Sequence, residues 1–420
     1  MTQPKIVIPE HQDKTKPTPL RLKRWTFAGF LLTYWCNAQC AFCYVYSGPQ
    51  KKGLVMDVQH ALHLWRGLNR IVDEGGPSYG RAGERYCKIH FAGGEPFGEF
   101  ALMLAIAQAA QRAGLKLFEK VETNAFWAIN DKVTREKIQL LKDAGMNMLM
   151  ISADIYHQEF VPPERCARAA RIGQELLGEP GVRVRWWDFL KNHQATQGQL
   201  SEAERQTLFA QALVDHRERL SGRAADKLSH LYECHPPEHF AKMNCSEATL
   251  GSKHIHVDGA GNVVPGVCSG ILWGKVPPST LIRVEGDGGE GGEGKEKGGG
   301  DDEKKGGQEV ISGGPWPTHF AGIDDLWRYA NDHWPQHPII GRVVTGGSYQ
   351  LYEYAKQSGF TPRPEGYASK CHLCHEVRRW LFNRGQFSQV LGPAEVYSEN
   401  VPHPDTNISP FPLSLPILST

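Results

Sequence analysis

Three cysteines within eight residues, Cys36-Asn37-Ala38-Gln39-Cys40-Ala41-Phe42-Cys43, constrain this chain more than any other segment. They follow an apolar, aromatic-rich run from Trp25 to Trp35 that reads as a β-strand, so the thiols are expected on the loop at that strand's end. Three thiolates in the spacing C-x3-C-x2-C can grip three corners of a cubane iron–sulfur cluster and leave the fourth iron without a protein ligand. An open metal position marks a catalytic site rather than a structural one. The spacing alone also admits a zinc site that borrows a fourth ligand from elsewhere in the chain.

Beyond that loop, strand and helix signals alternate. Asp57 is placed to cap a helix in which Val58, Ala61, Leu62, Trp65, Leu68 and Val72 recur at helical spacing. Strand-like runs at Cys87 to Phe91, Leu117 to Thr123, Met146 to Ser152 and Val182 to Trp187 alternate with helical runs at Phe100 to Ala113, Thr134 to Ala144, Pro163 to Leu177 and Glu202 to Val214. Repeated β–α units imply an α/β fold with a parallel sheet, in which function collects at the C-terminal ends of the strands. The second strand ends in Gly93-Gly94-Glu95-Pro96, the third in Glu122-Thr123-Asn124, and the fourth in Ser152-Ala153-Asp154 with Tyr156-His157-Gln158-Glu159 close behind.

The three-cysteine motif, with aromatic Phe42 just before its last cysteine, and the GGEP segment at the end of the next strand together resemble the radical S-adenosylmethionine (SAM) superfamily. The resemblance implies a partial (β/α)6 barrel over residues 25–230, with a smaller cysteine-containing C-terminal extension. It implies a [4Fe–4S] cluster on Cys36, Cys40 and Cys43 whose free iron is chelated by the amino and carboxylate groups of SAM. One-electron reduction then cleaves the S–C5′ bond, and the 5′-deoxyadenosyl radical takes a hydrogen atom from the substrate. Phe42, Gly93, Gly94, Glu95, Pro96, Asn124 and Ser152 are the implied SAM-pocket residues, the glycines by letting backbone approach the ligand. His157 is a candidate substrate-facing acid or base. A helix cap or a strand-end turn would account equally well for the polar residues after the third and fourth strands.

Ten cysteines in 420 residues set a second question. A disulfide scaffold is normally short and secreted, and the opening MTQPKIVIPEHQDKTKPTP lacks the apolar core of a signal peptide, so a cytoplasmic location is expected. Cys371 and Cys374 form a C-x2-C pair, and Cys245 and Cys268 flank a hairpin-like segment from His254 to Val264 containing Asp258-Gly259. This pattern partly resembles SPASM and Twitch auxiliary domains, which implies a second [4Fe–4S] cluster on Cys245, Cys268, Cys371 and Cys374, with Cys234 as a spare ligand. His235, His372 and His375 keep a mixed Cys/His zinc site open. Cys87 and Cys166 fall in a strand and a helix and read as buried core.

The layout expected is a flexible tail over residues 1–24, the barrel over 25–230, an auxiliary region over 231–285 and 315–390, a disordered Gly/Glu/Lys insertion over 286–314, and an extended tail over 391–420. A formal net charge of +1 gives no case for a nucleic-acid partner, and no apolar run approaches the roughly 20 residues of a membrane helix. The resemblance points to a peptide or protein substrate, with a small molecule as the alternative, and to a reductase partner such as flavodoxin or ferredoxin. Outside catalysis, the competing readings are an iron–sulfur or zinc scaffold and a thiol redox protein using Cys371 and Cys374.

Overall fold

A computed structural model of the chain describes residues 5–7, 21–51, 54–74, 86–116, 118–192, 200–278 and 316–399. The expected insertion over 286–314 lies outside the described residues, as do most of the N-terminal tail and everything after 399. Eight strands form one sheet: β1 (Phe27–Leu31), β2 (Lys88–Ala92), β3 (Phe118–Thr123), β4 (Met148–Ser152), β5 (Val182–Arg185), β6 (His254–Asp258), β7 (Asn262–Pro265) and β8 (Gly274–Lys275). Their order is β5-β4-β3-β2-β1-β6-β7-β8. The first six in that order run parallel, and β7 and β8 add on antiparallel. The fold is therefore mixed α/β, with a mostly parallel sheet.

The helices are α1 (Val58–Asp73), α2 (Phe100–Arg112), α3 (Asp131–Asp143), α4 (Ile155–Gln158), α5 (Pro163–Leu177), α6 (Trp187–Lys191), α7 (Glu202–Asp215), α8 (Arg223–Lys227), α9 (Ser246–Thr249), α10 (Ile323–His333), α11 (Ile340–Gln357) and α12 (Lys370–Asn383). α1, α2, α3 and α5 are the crossovers between successive parallel strands, each presenting one apolar face to the sheet. Asp57 caps α1 by accepting from the His60 amide at 2.8 Å. None of the helices in the described residues is long and apolar enough to cross a membrane.

β1 sits in the middle, pairing with β2 on one side and β6 on the other. Ala28 and Phe30 are wholly buried, and the Phe30 ring meets Trp65 of α1 edge-on. Gly29 faces the opposite way, between the rings of His90 and His256. The sequence predicts the hairpin from His254 to Val264 as part of a separate region; its first strand also serves as the sixth parallel strand, at the edge of β1 that β2 leaves free. A five-residue strand next to Asp258-Gly259 carries a strong turn signal and no signal of which distant strand it joins.

Beyond residue 316 the chain forms three helices, α10, α11 and α12, for which the sequence analysis above gives no expectation. α10 packs on α1 through a two-pronged Arg70–Asp324 pair at 2.7 Å. α11 is kinked at Gly347, where φ is +66° and a Cβ would stand 1.8 Å from the Met243 carbonyl, so only glycine fits. Residues 391–399 depart from the expected extended tail: Leu391 bridges to Ile271, and Val396 and Tyr397 are buried. At the other end Leu22 is buried and Ile6 bridges to Tyr232. In both places a few apolar anchors outweigh a polar, proline-rich composition.

Replacing Asp57 with Ala removes the cap of the first crossover helix. The expected loss is about 1 kcal/mol of unfolding free energy in a denaturant titration, with activity per folded molecule unchanged.

Candidate active site

The cysteine loop begins where β1 and β2 continue past their formal ends. The Gly94 amide donates to the Thr33 carbonyl at 2.7 Å and the Glu95 amide to that of Trp35 at 2.8 Å. A Cβ on Gly94 would lie 1.9 Å from the Trp35 oxygen, and one on Gly93, whose φ is +127°, would lie 2.4 Å from that of Thr33. The sequence reading keeps these glycines small for a ligand; the structure spends that space on the crossing of two backbone segments. The same glycines still line the cavity in front of the loop.

Glu95 is buried and ties the end of β2 to the end of β3. Its carboxylate accepts from Thr123 Oγ1 at 2.7 Å, the Asn124 amide at 2.7 Å and the Phe97 amide at 3.1 Å. Burial pushes its carboxyl up to about 7 against those three donors. Pro96 opens the short 3-10 turn Pro96–Glu99. Asn124 projects from this knot towards the cysteines: its Nδ2 lies 2.9 Å from Asn37 Oδ1 and 3.7 Å from Cys36 Sγ.

Cys36, Cys40, Cys43, Phe42, Gly93, Gly94, Glu95, Asn124, Ser152 and His157 all border one cavity. Phe42 is packed among Tyr156, His157 and the Arg185 guanidinium, which stands 4.4 Å over its ring. His157 Nδ1 lies 2.9 Å from both oxygens of Asp154, which also caps α4. Burial would raise the Asp154 carboxyl, but His157 and Arg185 outweigh it and hold it below the usual range. Arg185 also pairs with Glu218, whose carboxyl burial pushes up to about 7.

Two basic residues of this site carry no motif. One is Arg185, at the end of β5. The other is Arg223, buried at the start of α8, which donates to the Cys40 carbonyl at 3.0 Å, the Ser47 carbonyl at 2.8 Å and Glu399 at 2.6 Å. Its own amide donates to the Cys43 carbonyl at 2.8 Å. The cysteine loop is thus held by a segment 183 residues downstream, a contact that one sequence read alone cannot reveal.

The donor set suits an iron–sulfur cluster. Burial, then the charge of Glu95, raises the Cys36 thiol well above its ordinary range, and burial does the same to Cys40, so a metal must displace their protons.

Cys245, Cys268, Cys371 and Cys374 come together from α9, the turn after β7 and the first turn of α12. Burial is the main cause raising the thiols of Cys245, Cys268 and Cys371, and the charges of the other cysteines in the group add to it. Cys234 stands apart, beside Lys5, Arg363 and Glu365. His372 and His375 are engaged elsewhere, with Arg363 and the Ala368 amide, and with Tyr46 and the Gly222 amide. His235 stacks on His239. Cys87 and Cys166 are buried in the core, as expected.

Residues 30–175 match the Radical SAM superfamily. No curated protein sequence matches the chain. Among solved structures, the crystal structure of BtrN in complex with AdoMet and 2-DOIA is similar at 15% identity, over 60% of this chain and 78% of that one. The TM-score is 0.34. The family match spans the cysteine loop, the GGEP segment and the ends of β3 and β4. Residues 30–175 are a radical SAM domain, and the chain is an enzyme built on it.

Proposed function

We propose that this enzyme holds a [4Fe–4S] cluster on Cys36, Cys40 and Cys43, at the mouth of a partial (β/α)6 barrel, and uses SAM bound beside it to take a hydrogen atom from a peptide or protein. The observation that carries this reading is the convergence on one cavity of the three cysteines with Gly93, Gly94, Asn124 and Ser152, each from the C-terminal end of a parallel strand. Bound there, the reduced cluster and SAM would supply a 5′-deoxyadenosyl radical.

The chain's own residues would orient and shield that chemistry. The Glu95 knot fixes the ends of β2 and β3, so Asn124 is held beside Cys36 with its amide as a polar contact. Phe42, clamped between His157 and Arg185, covers one side of the loop with apolar surface and keeps water from it. Asp154 engages Nδ1 of His157, which leaves Nε2 as the nitrogen able to give or take a proton in the cavity.

A second [4Fe–4S] cluster on Cys245, Cys268, Cys371 and Cys374 belongs to this proposal. Its support is the grouping of those four thiols and the diversion of His372 and His375 to other partners. Residues 231–285 and 315–390 would then be the auxiliary region, and a flavodoxin- or ferredoxin-type reductase would supply the electron. The peptide or protein substrate rests on the resemblance of that region to SPASM and Twitch domains.

Anaerobic reconstitution tests both clusters. Wild type is expected to take up about eight irons per chain and a Cys36/Cys40/Cys43→Ala variant about four, with 5′-deoxyadenosine released from SAM and dithionite by wild type alone. A folded, fully iron-loaded wild type that leaves SAM intact would turn the reading to a non-catalytic scaffold. Product formation from small molecules but from no peptide would move the substrate class.

His157→Gln keeps the ring's place occupied by a polar group and removes the titrating nitrogen. Iron content and SAM cleavage should stay at wild-type levels while substrate conversion falls about 100-fold or more, as for the loss of a general acid or base. Equal conversion by the two proteins would make His157 a packing residue for Phe42.

A further inference from the structure

Three histidines lie together on the cavity side of the sheet, away from both cysteine groups. His90 comes from β2, and His254 and His256 from β6, the strands on either side of β1. One ring nitrogen from each lies within 4.8 Å of the others. Ring centroids are 4.4 Å apart for His254 and His256, 5.1 Å for His90 and His254, and 5.5 Å for His90 and His256. The rings close over Gly29: a Cβ there would stand 2.3 Å from His256 Cδ2 and 2.6 Å from His90 Nε2.

This arrangement suits a cation. All three imidazoles are driven towards the neutral form first by burial, with Lys120 and the neighbouring histidines adding to it. Neutral imidazole is the form that ligates metals. Nε2 of His254 is buried without a hydrogen-bond partner, an unmet need that ordinary core packing leaves open. The charged groups facing the trio are Glu122, whose Oε1 is 3.6 Å from His90 Nε2, and Lys120, paired with the same oxygen at 2.6 Å. Glu122 is placed to offset part of the Lys120 charge beside a bound dication.

We propose that His90, His254 and His256 bind one divalent transition-metal ion of the zinc class, with a fourth position open to water or to an oxygen of the substrate. Three imidazoles and an open position are a known catalytic zinc arrangement. His90 precedes Gly93 by three residues of strand, which puts the ion about 10 Å upstream of the cysteine-loop cavity. Glu122 and Tyr44 border both places: each lines the cavity, Glu122 faces His90, and the Tyr44 ring lies 6.5 Å from that of His256. An ion here would anchor a Lewis-basic group of a molecule extending down from the cavity. This site does not depend on how the cysteine loop is occupied.

The test uses the full chain, reconstituted anaerobically, loaded with Zn2+ and dialysed against a weak chelator. One zinc per chain should remain, and its K-edge absorption should report nitrogen neighbours at about 2.0 Å with imidazole outer shells. That readout separates nitrogen from sulfur ligation whether or not the cysteines hold iron. His254→Phe keeps a ring against Phe27 and removes the donors, and His256→Gln removes another donor. Each should weaken zinc retention at least tenfold, and zinc should raise the melting temperature of wild type but not of His254→Phe. Zinc bound only through sulfur at about 2.3 Å, none retained by folded wild type, or undiminished retention by folded His254→Phe would overturn the proposal and leave the trio as stacked core rings.

Discussion

The crossing of the β1 and β2 ends is the constraint on which the rest of the site depends. Two glycines let the backbone of residues 93–95 lie directly on that of 33–35, and hydrogen bonds of 2.7 and 2.8 Å lock the two segments. The buried Glu95 carboxylate then fastens this pair to the third strand through Thr123 and Asn124. Taking a carboxylate out of water is costly, and three donors are what make it tolerable. In return, the first turn of the cysteine loop and the Asn124 side chain have one relative position. A loop that must hold three thiols at fixed separations needs a rigid base of this kind.

The far side of the loop is braced from much later in the chain. Arg223 binds two of the loop's carbonyls, and Gly222, at φ +59°, lets the backbone before α8 lie against Tyr44. Glu399 completes the guanidinium's partners, and Lys51 donates to the Ser398 carbonyl. The last described residues therefore belong to the support of the first motif. Removing Arg223 would take a donor from the Ser47 carbonyl and leave the Cys40 carbonyl to the Cys43 amide alone, a loss that falls on loop geometry before it reaches any reacting atom.

Legibility in the sequence followed the range of the interactions. The crossover helices α1, α2 and α5 and the strands between them were readable because periodicity and capping are local; Asp57 and the bounds of α5 fall where the sequence puts them. The cysteines, Gly93, Gly94, Asn124, Ser152 and His157 meet at one cavity because strand ends in a parallel sheet share an edge. What stayed hidden is non-local. Nothing in His254 to Asp258 says that it pairs with β1 and nothing in Arg223 says that it reaches Cys40, whereas α10 carries Ile323, Leu326, Trp327 and Ala330 at helical spacing and was legible without its partner α1. The glycines in GGEP serve the crossing with residues 33–35 as well as the cavity, a partner that a missing side chain does not name.

Gly29 applies that last point inside the sheet. A strand paired on both sides and packed under helices favours apolar residues, and β1 supplies them at Ala28 and Phe30 on the helix face. On the cavity face the same strand has no side chain at its centre, and rings from both neighbouring strands fill the gap. Apolar packing alone could have filled it with one branched side chain on β1 at less desolvation cost than two buried imidazoles and a half-buried third. The strand instead yields its central position to polar rings whose nitrogens converge. Polar groups gathered where hydrophobic ones would pack better indicate a demand beyond stability, and nitrogen donors converging beside a cavity make that demand a ligand's.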